Sequence, residues 1–294
     1  MRKIGCAAML CMCLLLAAFA GAAEEKADMA HYLLVGVDGW GLNEAGGARS
    51  DAIILTSLDY GRERITFTSI ARDSIVKPSY RKTPVKLNTL VRSEGGEQML
   101  TAYIEEAFGI PISGYFVINF SGAVDVINAV GGIDVTLTQE EAEYLRYHAG
   151  EYAGYPLHAG PCRLNGGQAL YYMRCRSLDN DFGRQGRQGN VLRAVMDELR
   201  NITPLRVILL LDDVLGMYRT DLSSGQQLEL ALKALSLKDA QVQIRALPAE
   251  GAYRYGQDSH GTSGLIFNLE ANRAQLYRWL GLEEPAMQTV GQGE

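Results

Sequence analysis

The chain has 294 residues, 47% of them hydrophobic and 21% charged, with 28 basic side chains against 34 acidic ones. That composition excludes a disordered chain, a collagen-like repeat and a small disulfide scaffold, and it supplies ample core for a large domain. A net charge of −6 and a pI near 5.4 exclude nucleic-acid binding through bulk charge, so any anion must be held locally.

Residues 1–23 form a leader: Arg2 and Lys3, an apolar run from Ile4 to Ala20, then small residues resembling a cleavage site. A cleaved signal peptide and an uncleaved membrane anchor both fit, and both export the remainder. Three of the five cysteines lie in this leader. Cys162 and Cys175 remain, and they read either as one disulfide or as two buried thiols.

Tyr32 to Val37 reads as a buried strand ending at Asp38. After a Gly-rich loop, Ala52 to Leu58 is a second strand, Asp59 to Arg62 a hairpin turn, and Ile65 to Ile70 a third strand. Helical periodicity runs from Glu97 to Phe108 and stops at Gly109. Tyr115 to Ile118 is extended, Ser121 is placed to cap a helix to Val130, and Ile133 to Leu137 is extended again. Thr138 and Glu141 form a capping box for a helix through about Tyr147. Tyr171 to Arg176 reads as a strand, with Arg174 and Arg176 on one face. A helix follows from near Gly183 to about Asn201. Leu228 to Leu235 is helical, Val242 to Leu247 extended and Leu269 to Leu280 helical. The layout is α/β: one domain over residues 31–282, with a mixed central sheet flanked by helices and an unstructured tail at 283–294.

The helix near Gly183 carries the most informative pattern. Its apolar stripe, Val191, Leu192, Val195 and Leu199, extends backward through Arg184, Arg187 and Gln188. A charge run is ordinarily a solvated face, but these charges continue the buried side. Cations at a helix N-terminus also oppose the helix dipole. Inward guanidiniums need compensation, either from Asp179 and Asp181 in a structural ion pair or from a bound polyanion such as pyrophosphate. Asp38 and Asp51, at the ends of neighbouring strands, are candidates to share a divalent cation. His31, His148, His158 and His260 show no ligand spacing, so zinc is not expected, and neither a Walker loop nor a GxSxG elbow is present.

Eight segments together resemble the LytR-CpsA-Psr family of cell-envelope phosphotransferases: LLVGVD (33–38), RSDAIIL (49–55), ITFTSIARDS (65–74), KLN (86–88), NFSGAVDVINAVGGIDV (119–135), LNGGQALYYMRCR (164–176), DFGRQGRQ (181–188) and TDLS (220–223). The resemblance implies an α/β/α domain with room for a small accessory sheet and an apolar tunnel for a polyprenyl chain. It also implies transfer of a glycopolymer, such as teichoic acid or capsule, from a polyprenyl pyrophosphate carrier at the membrane to peptidoglycan. By resemblance, Asp38 and Asp51 hold Mg²⁺, with Mn²⁺ as the alternative ion. Arg49, Arg72, Lys86, Arg174, Arg176, Arg184, Arg187 and Gln188 surround the pyrophosphate. Asp181 is the candidate base, with Arg72, Arg174 and Arg176 beside it at the reacting centre. Two departures from the family pattern are Ala71, where proline is common before the Arg-Asp pair, and Trp40, where an arginine often stands. A pyrophosphatase using the same site, or an envelope protein that holds polyprenyl phosphates without turnover, are the alternative readings.

Overall fold

The computed structural model describes residues 28–38, 49–92, 95–149, 152, 154–179, 181–200, 203, 218–258 and 260–283. The leader, the loop holding Trp40 and the tail after residue 283 lie outside the described residues. Among the described residues, no helix is long and apolar enough to cross a membrane.

The first strands form where apolar, β-branched residues alternate across two buried faces. Strand β1 (Met29–Val37) pairs antiparallel with β2 (Ser50–Asp59), and β2 pairs antiparallel with β3 (Arg64–Ile70). Short strands β4 (Ser74–Val76) and β5 (Val85–Lys86) follow, then helix α1 (Gly96–Phe108), which ends on Gly109 at φ 67°. Strand β6 (Gly114–Ile118) runs parallel to β1 and leads into α2 (Phe120–Ala129). Next come β7 (Ile133–Leu137), α3 (Gln139–His148), β8 (Gly160–Leu164), α4 (Gly166–Arg174) and α5 (Asp181–Leu199). The last part comprises β9 (Arg219–Thr220), α6 (Ser224–Leu235), β10 (Gln241–Leu247), β11 (Tyr253–Gln257), β12 (Ser263–Phe267) and α7 (Leu269–Leu280).

The central sheet has six strands in the order β10-β3-β2-β1-β6-β9, with β1–β6 and β3–β10 parallel and its other pairs antiparallel. The expected mixed sheet is therefore present, and two smaller sheets accompany it: β11-β12-β4-β5 and β7-β8. The pleat divides the core in two. Leu34, Ile54 and Phe116, adjacent in register, face α2 to α6, whereas Leu33, Leu55 and Tyr115 face α1 and α7. The result is three layers, with helices on both faces of the sheet.

Local chemistry fixes the joints. The carboxylate of Asp59, buried at the hairpin, accepts the Arg62 N–H at 3.0 Å and guanidinium donors of Arg62 and Arg64 at 3.1 Å. Arg64 also donates to the Leu280 carbonyl at 2.6 Å, tying the hairpin to the end of α7. The Thr138–Glu141 capping box is formed as the sequence predicts.

Three expectations change and one open choice is resolved. Tyr171 to Arg176 is not a strand: Asn165 and Gln168 form a capping box that starts α4, and the helix continues to Arg174. The run therefore turns with a period of 3.6, so Arg174 and Arg176 do not share a strand face. Gly166 is required here, because a Cβ would lie 1.7 Å from the Val124 carbonyl oxygen where α4 crosses α2. Helix α2 is capped by Asn119, whose side chain accepts the Gly122 N–H at 2.8 Å, while Ser121 donates to Asn119 rather than capping. Helix α5 begins at Asp181, one half-turn before the expected Gly183. Cys162 and Cys175 are both free, buried thiols, which resolves the open choice against a disulfide.

His31, on β1, is buried with Nδ1 2.8 Å from Ser57 Oγ, and burial lowers its pKa from 6.5 to about 4. The unfolded chain takes up the proton first as pH falls. Stability from neutral His31 is thus complete above 6.5 and lost as pH falls to about 4, a difference of about 3 kcal/mol. Urea denaturation at pH 7 and pH 4.5 should show this loss in the wild-type chain and a smaller loss in His31→Asn.

Candidate active site

The site is assembled where β1 and β3 end and β2 begins, on the same side of the sheet as the α4–α5 corner. At the close of the β1–β2 ladder, the Asp38 N–H donates to the Arg49 carbonyl at 3.0 Å, and the Arg49 N–H returns to Asp38 Oδ1 at 2.5 Å. That exchange places the two predicted residues side by side. Asp51, half-buried near the start of β2, accepts from Arg72 Nη1 and, at 3.4 Å, from Arg176 Nη2. One carboxylate therefore draws together guanidiniums that are 104 residues apart in the chain, one from the end of β3 and one from the α4–α5 connection.

Arg72 stands on a short loop whose conformation is fixed by main-chain bonds. The Asn88 N–H donates to the Arg72 carbonyl at 3.0 Å, which explains why the KLN segment belongs to this site. Ala71 donates its own N–H to the Leu247 carbonyl at 2.8 Å. Proline has no such donor, so the departure at Ala71 adds a bond to the loop that carries Arg72. Asp73 pairs with Lys86 Nζ at 2.8 Å and with Arg72 Nε at 3.6 Å. Burial alone would raise the Asp73 pKa, but the Lys86 hydrogen bond and the charges of Arg72, Lys86 and Arg184 outweigh it and hold the group below its usual value.

Arg174 closes α4 with its guanidinium carbon 4.1 Å from the centre of the Phe120 ring, a cation–π contact. The first turns of α5 then point inward, as the stripe predicts: Arg184 is 2% exposed and Arg187 4%. Their roles differ. Arg184 and Gln188 line the cavity described below. Arg187 does not line it. Its two terminal nitrogens reach Asp179 Oδ2 at 2.8 Å and Oδ1 at 2.6 Å, the Cys175 carbonyl at 2.8 Å and Glu141 Oε1 at 3.4 Å. Expected among the anion ligands, Arg187 is instead the bidentate partner of Asp179, because that carboxylate and a free carbonyl lie closer to it than the cavity does.

An amphipathic cavity, partly open to solvent, lies between the sheet and the helices on its α2–α6 face. Leu34, Ile54, Ile118, Leu170, Val191 and Val195 are among the side chains that form its apolar walls. Asp51, Arg174, Arg176, Arg184, Gln188 and Asn119 supply its polar groups. The arrangement can hold a long apolar chain with an anionic head.

Six predicted residues are thus drawn together directly, by contact or by the cavity wall: Asp51, Arg72, Arg174, Arg176, Arg184 and Gln188. Lys86 joins them through Asp73, and Asp38 with Arg49 flanks them at the strand ends. Asp181 occupies the first position of α5, and its side chain lies outside the described residues. Sequence reasoning missed Phe120 beneath Arg174 and did not assign Asp73 to the site. The signal for Asp73 was available, since it adjoins Arg72 in the same segment. No spacing rule points from Arg174 to Phe120.

Among the described residues, no group of three or more His, Cys, Asp or Glu is placed to hold a metal ion. Asp38 and Asp51 each commit Oδ1 to a nitrogen donor. The other oxygen of each has no donor among the described residues. Two carboxylates of this kind fit Mg²⁺, which takes one or two protein carboxylates and fills its shell with waters and phosphate oxygens.

The sequence profile of the LytR_cpsA_psr family matches residues 18–275. Biofilm regulatory protein A of Streptococcus mutans is 33% identical over 239 residues, covering 74% of this chain and 56% of that protein. The Bacillus subtilis protein named polyisoprenyl-teichoic acid–peptidoglycan teichoic acid transferase TagV is 33% identical over 180 residues, covering 60% of this chain and 45% of its own. In each case the match spans about half the length of the curated relative. Among solved structures, protein gbs0355 from Streptococcus agalactiae superposes with a TM-score of 0.72 at 28% identity, covering 88% of this chain and 90% of its own.

The separate roles of the two inward arginines and Arg176 can be distinguished by stability. Asp179→Ala leaves a buried guanidinium without its bidentate acceptor and, because Asp179 is itself part-exposed, should lower unfolding free energy by about 2 kcal/mol. Arg176→Ala removes a half-exposed side chain and should change it by less than about 1 kcal/mol. Urea midpoints of the two variants check the contrast.

Proposed function

The chain belongs to the LytR-CpsA-Psr family, and on that premise we propose that it is an exported phosphotransferase. It moves a glycopolymer of the teichoic acid or capsule class from a polyprenyl pyrophosphate carrier to peptidoglycan, at the outer face of the cytoplasmic membrane, to which residues 1–23 direct it. The observation that carries this reading is the joining of an apolar cavity to a mouth lined by Arg174, Arg176 and Arg184, with Arg72 held beside it through Asp51. A polyprenyl chain is matched by the walls and a pyrophosphate by the guanidiniums. The printed name of the TagV relative, a transferase acting between polyisoprenyl-linked teichoic acid and peptidoglycan, agrees with it.

The reaction joins an acceptor hydroxyl oxygen to the phosphorus that bears the glycan. The bond from that phosphorus to the bridging oxygen breaks, and the polyprenyl monophosphate leaves with the bridging oxygen. Asp181, at the first position of α5, takes the hydroxyl proton. Arg72, Arg174, Arg176 and Arg184 hold the phosphate oxygens and compensate the charge that gathers on the leaving oxygen. Gln188 adds a neutral donor, and Lys86 holds Asp73 against Arg72 so that the loop keeps its position. Arg49 contributes charge at the strand ends. Asp38 and Asp51 are the residues that would hold Mg²⁺, or Mn²⁺ in its place, and the ion when bound supplies further charge compensation to the phosphates.

Purified protein given polyprenyl-pyrophosphate-linked glycan should attach the glycan covalently only when peptidoglycan is present. Arg176→Ala should slow attachment by about a hundredfold or more. Phosphate release at the full rate without peptidoglycan would identify a pyrophosphatase instead. Tight lipid binding with neither product would leave only a carrier protein.

A further inference from the structure

The transferase reading leaves one set of side chains without a task. Phe182, the second residue of α5, has its ring 5.8 Å from that of Tyr253, and Tyr253 lies 5.9 Å from Tyr255 in an edge-on arrangement. Tyr253 and Tyr255 are two apart on β11 and therefore stand on the same face of its sheet. Tyr255 is 75% exposed. Neither tyrosine belongs to either hydrophobic core. A row of three aromatic rings partly open to water is a feature that calls for a partner.

We propose that Phe182, Tyr253 and Tyr255 form a stacking platform for the glycan strand of the acceptor, a site separate from the cationic cavity. This rests on the transferase reading above. A pyranose ring has an apolar C–H face and a rim of hydroxyls. Tyrosine matches both with a rigid ring and a phenol, and it loses little conformational freedom in doing so. The ring centroids are 5.8 and 5.9 Å apart with planes at 41° and 85°, so the surface they form is twisted rather than flat.

Two placements select the acceptor rather than the transferred polymer or a polypeptide. The row begins at Phe182, directly after Asp181, the candidate proton acceptor, and two residues before Arg184 of the cavity wall. A strand lying along the row thus reaches the helix whose Arg184 lines the cavity. The sheet that carries the row, β11-β12-β4-β5, also carries Lys86 of the active-site loop at its opposite edge, so platform and site share one support. Added-strand binding of a polypeptide uses the backbone edge of β11, whereas these rings stand off the face of the sheet.

The test uses the full chain and, as probe, a soluble tetrasaccharide of alternating N-acetylglucosamine and N-acetylmuramic acid, followed by calorimetry. Tyr255→Ala should weaken tetrasaccharide binding by about tenfold, equivalent to about 1.4 kcal/mol, and Tyr255→Phe should restore it to within about twofold because the ring is kept. Inorganic pyrophosphate binding should be unchanged in both and weakened in Arg176→Ala, which should still bind the tetrasaccharide. Equal tetrasaccharide affinity in wild type, Tyr253→Ala and Tyr255→Ala, or no binding by wild type, would overturn the platform. So would binding of a polypeptide, or of the lipid-linked polymer in place of the tetrasaccharide, through these rings. Loss of pyrophosphate binding in the wild type would instead strike the transferase reading itself.

Discussion

The candidate active-site corner depends on one ion pair, a buried guanidinium held by a carboxylate at the surface. A helix N-terminus is a poor place for cations, yet α5 turns two guanidiniums inward within its first seven residues. Arg187 is compensated by Asp179 in a bidentate contact, with the Cys175 carbonyl and Glu141 completing its shell. Because Cys175 and Asp179 lie on the connection between α4 and α5, that pair sets the path of the connection and with it the position of Arg176. Arg184 is left facing the cavity, within electrostatic reach of Asp73. One arginine holds the corner and its neighbour a turn away is presented to the cavity.

The sheet supplies the other half of the geometry. Strand ends bring Asp38, Arg49, Asp51 and Arg72 to one rim, and the pleat directs Leu34 and Ile54 beneath the same helices that carry Arg174 and Arg184. Gly36 and Ala52, opposite one another in register, both line the cavity. Larger residues at that pair would occupy space directly beneath the mouth. Charge and apolar volume therefore meet because one sheet face ends where one helix pair begins.

Much of this was legible in the sequence because it is local. Strands β1 to β3, the Thr138–Glu141 capping box and α7 follow from periodicity and caps within short windows, and the inward turn of Arg184 and Arg187 follows from extending an apolar stripe. Which of the two arginines faces the cavity was not legible: the choice depends on Asp179, eight residues away on a non-helical connection whose path no period encodes. Helix α4 was misread because Tyr171 to Arg176 alternates like a strand, while its starting signal, Asn165 and Gln168, brackets two glycines. Those glycines disfavour a helix intrinsically, and only the approach of α2 explains why they are there. Strands such as β4, β5 and β9, two or three residues long, are defined by their partners rather than by their own pattern.

Leu34, Ile54, Ile118, Ile127, Val191 and Val195 line the cavity and also belong to the core that fastens the helices to the sheet. The protein thus keeps a hollow in its own interior, which forgoes dispersion contacts that a solid core would make. An apolar guest restores them, and only the folded chain offers it a place. Occupancy and folding are consequently linked by mass action: a guest at a hundred times its dissociation constant adds about 2.7 kcal/mol to the folded state. The lifetime of the folded chain then follows the supply of whatever fills that hollow.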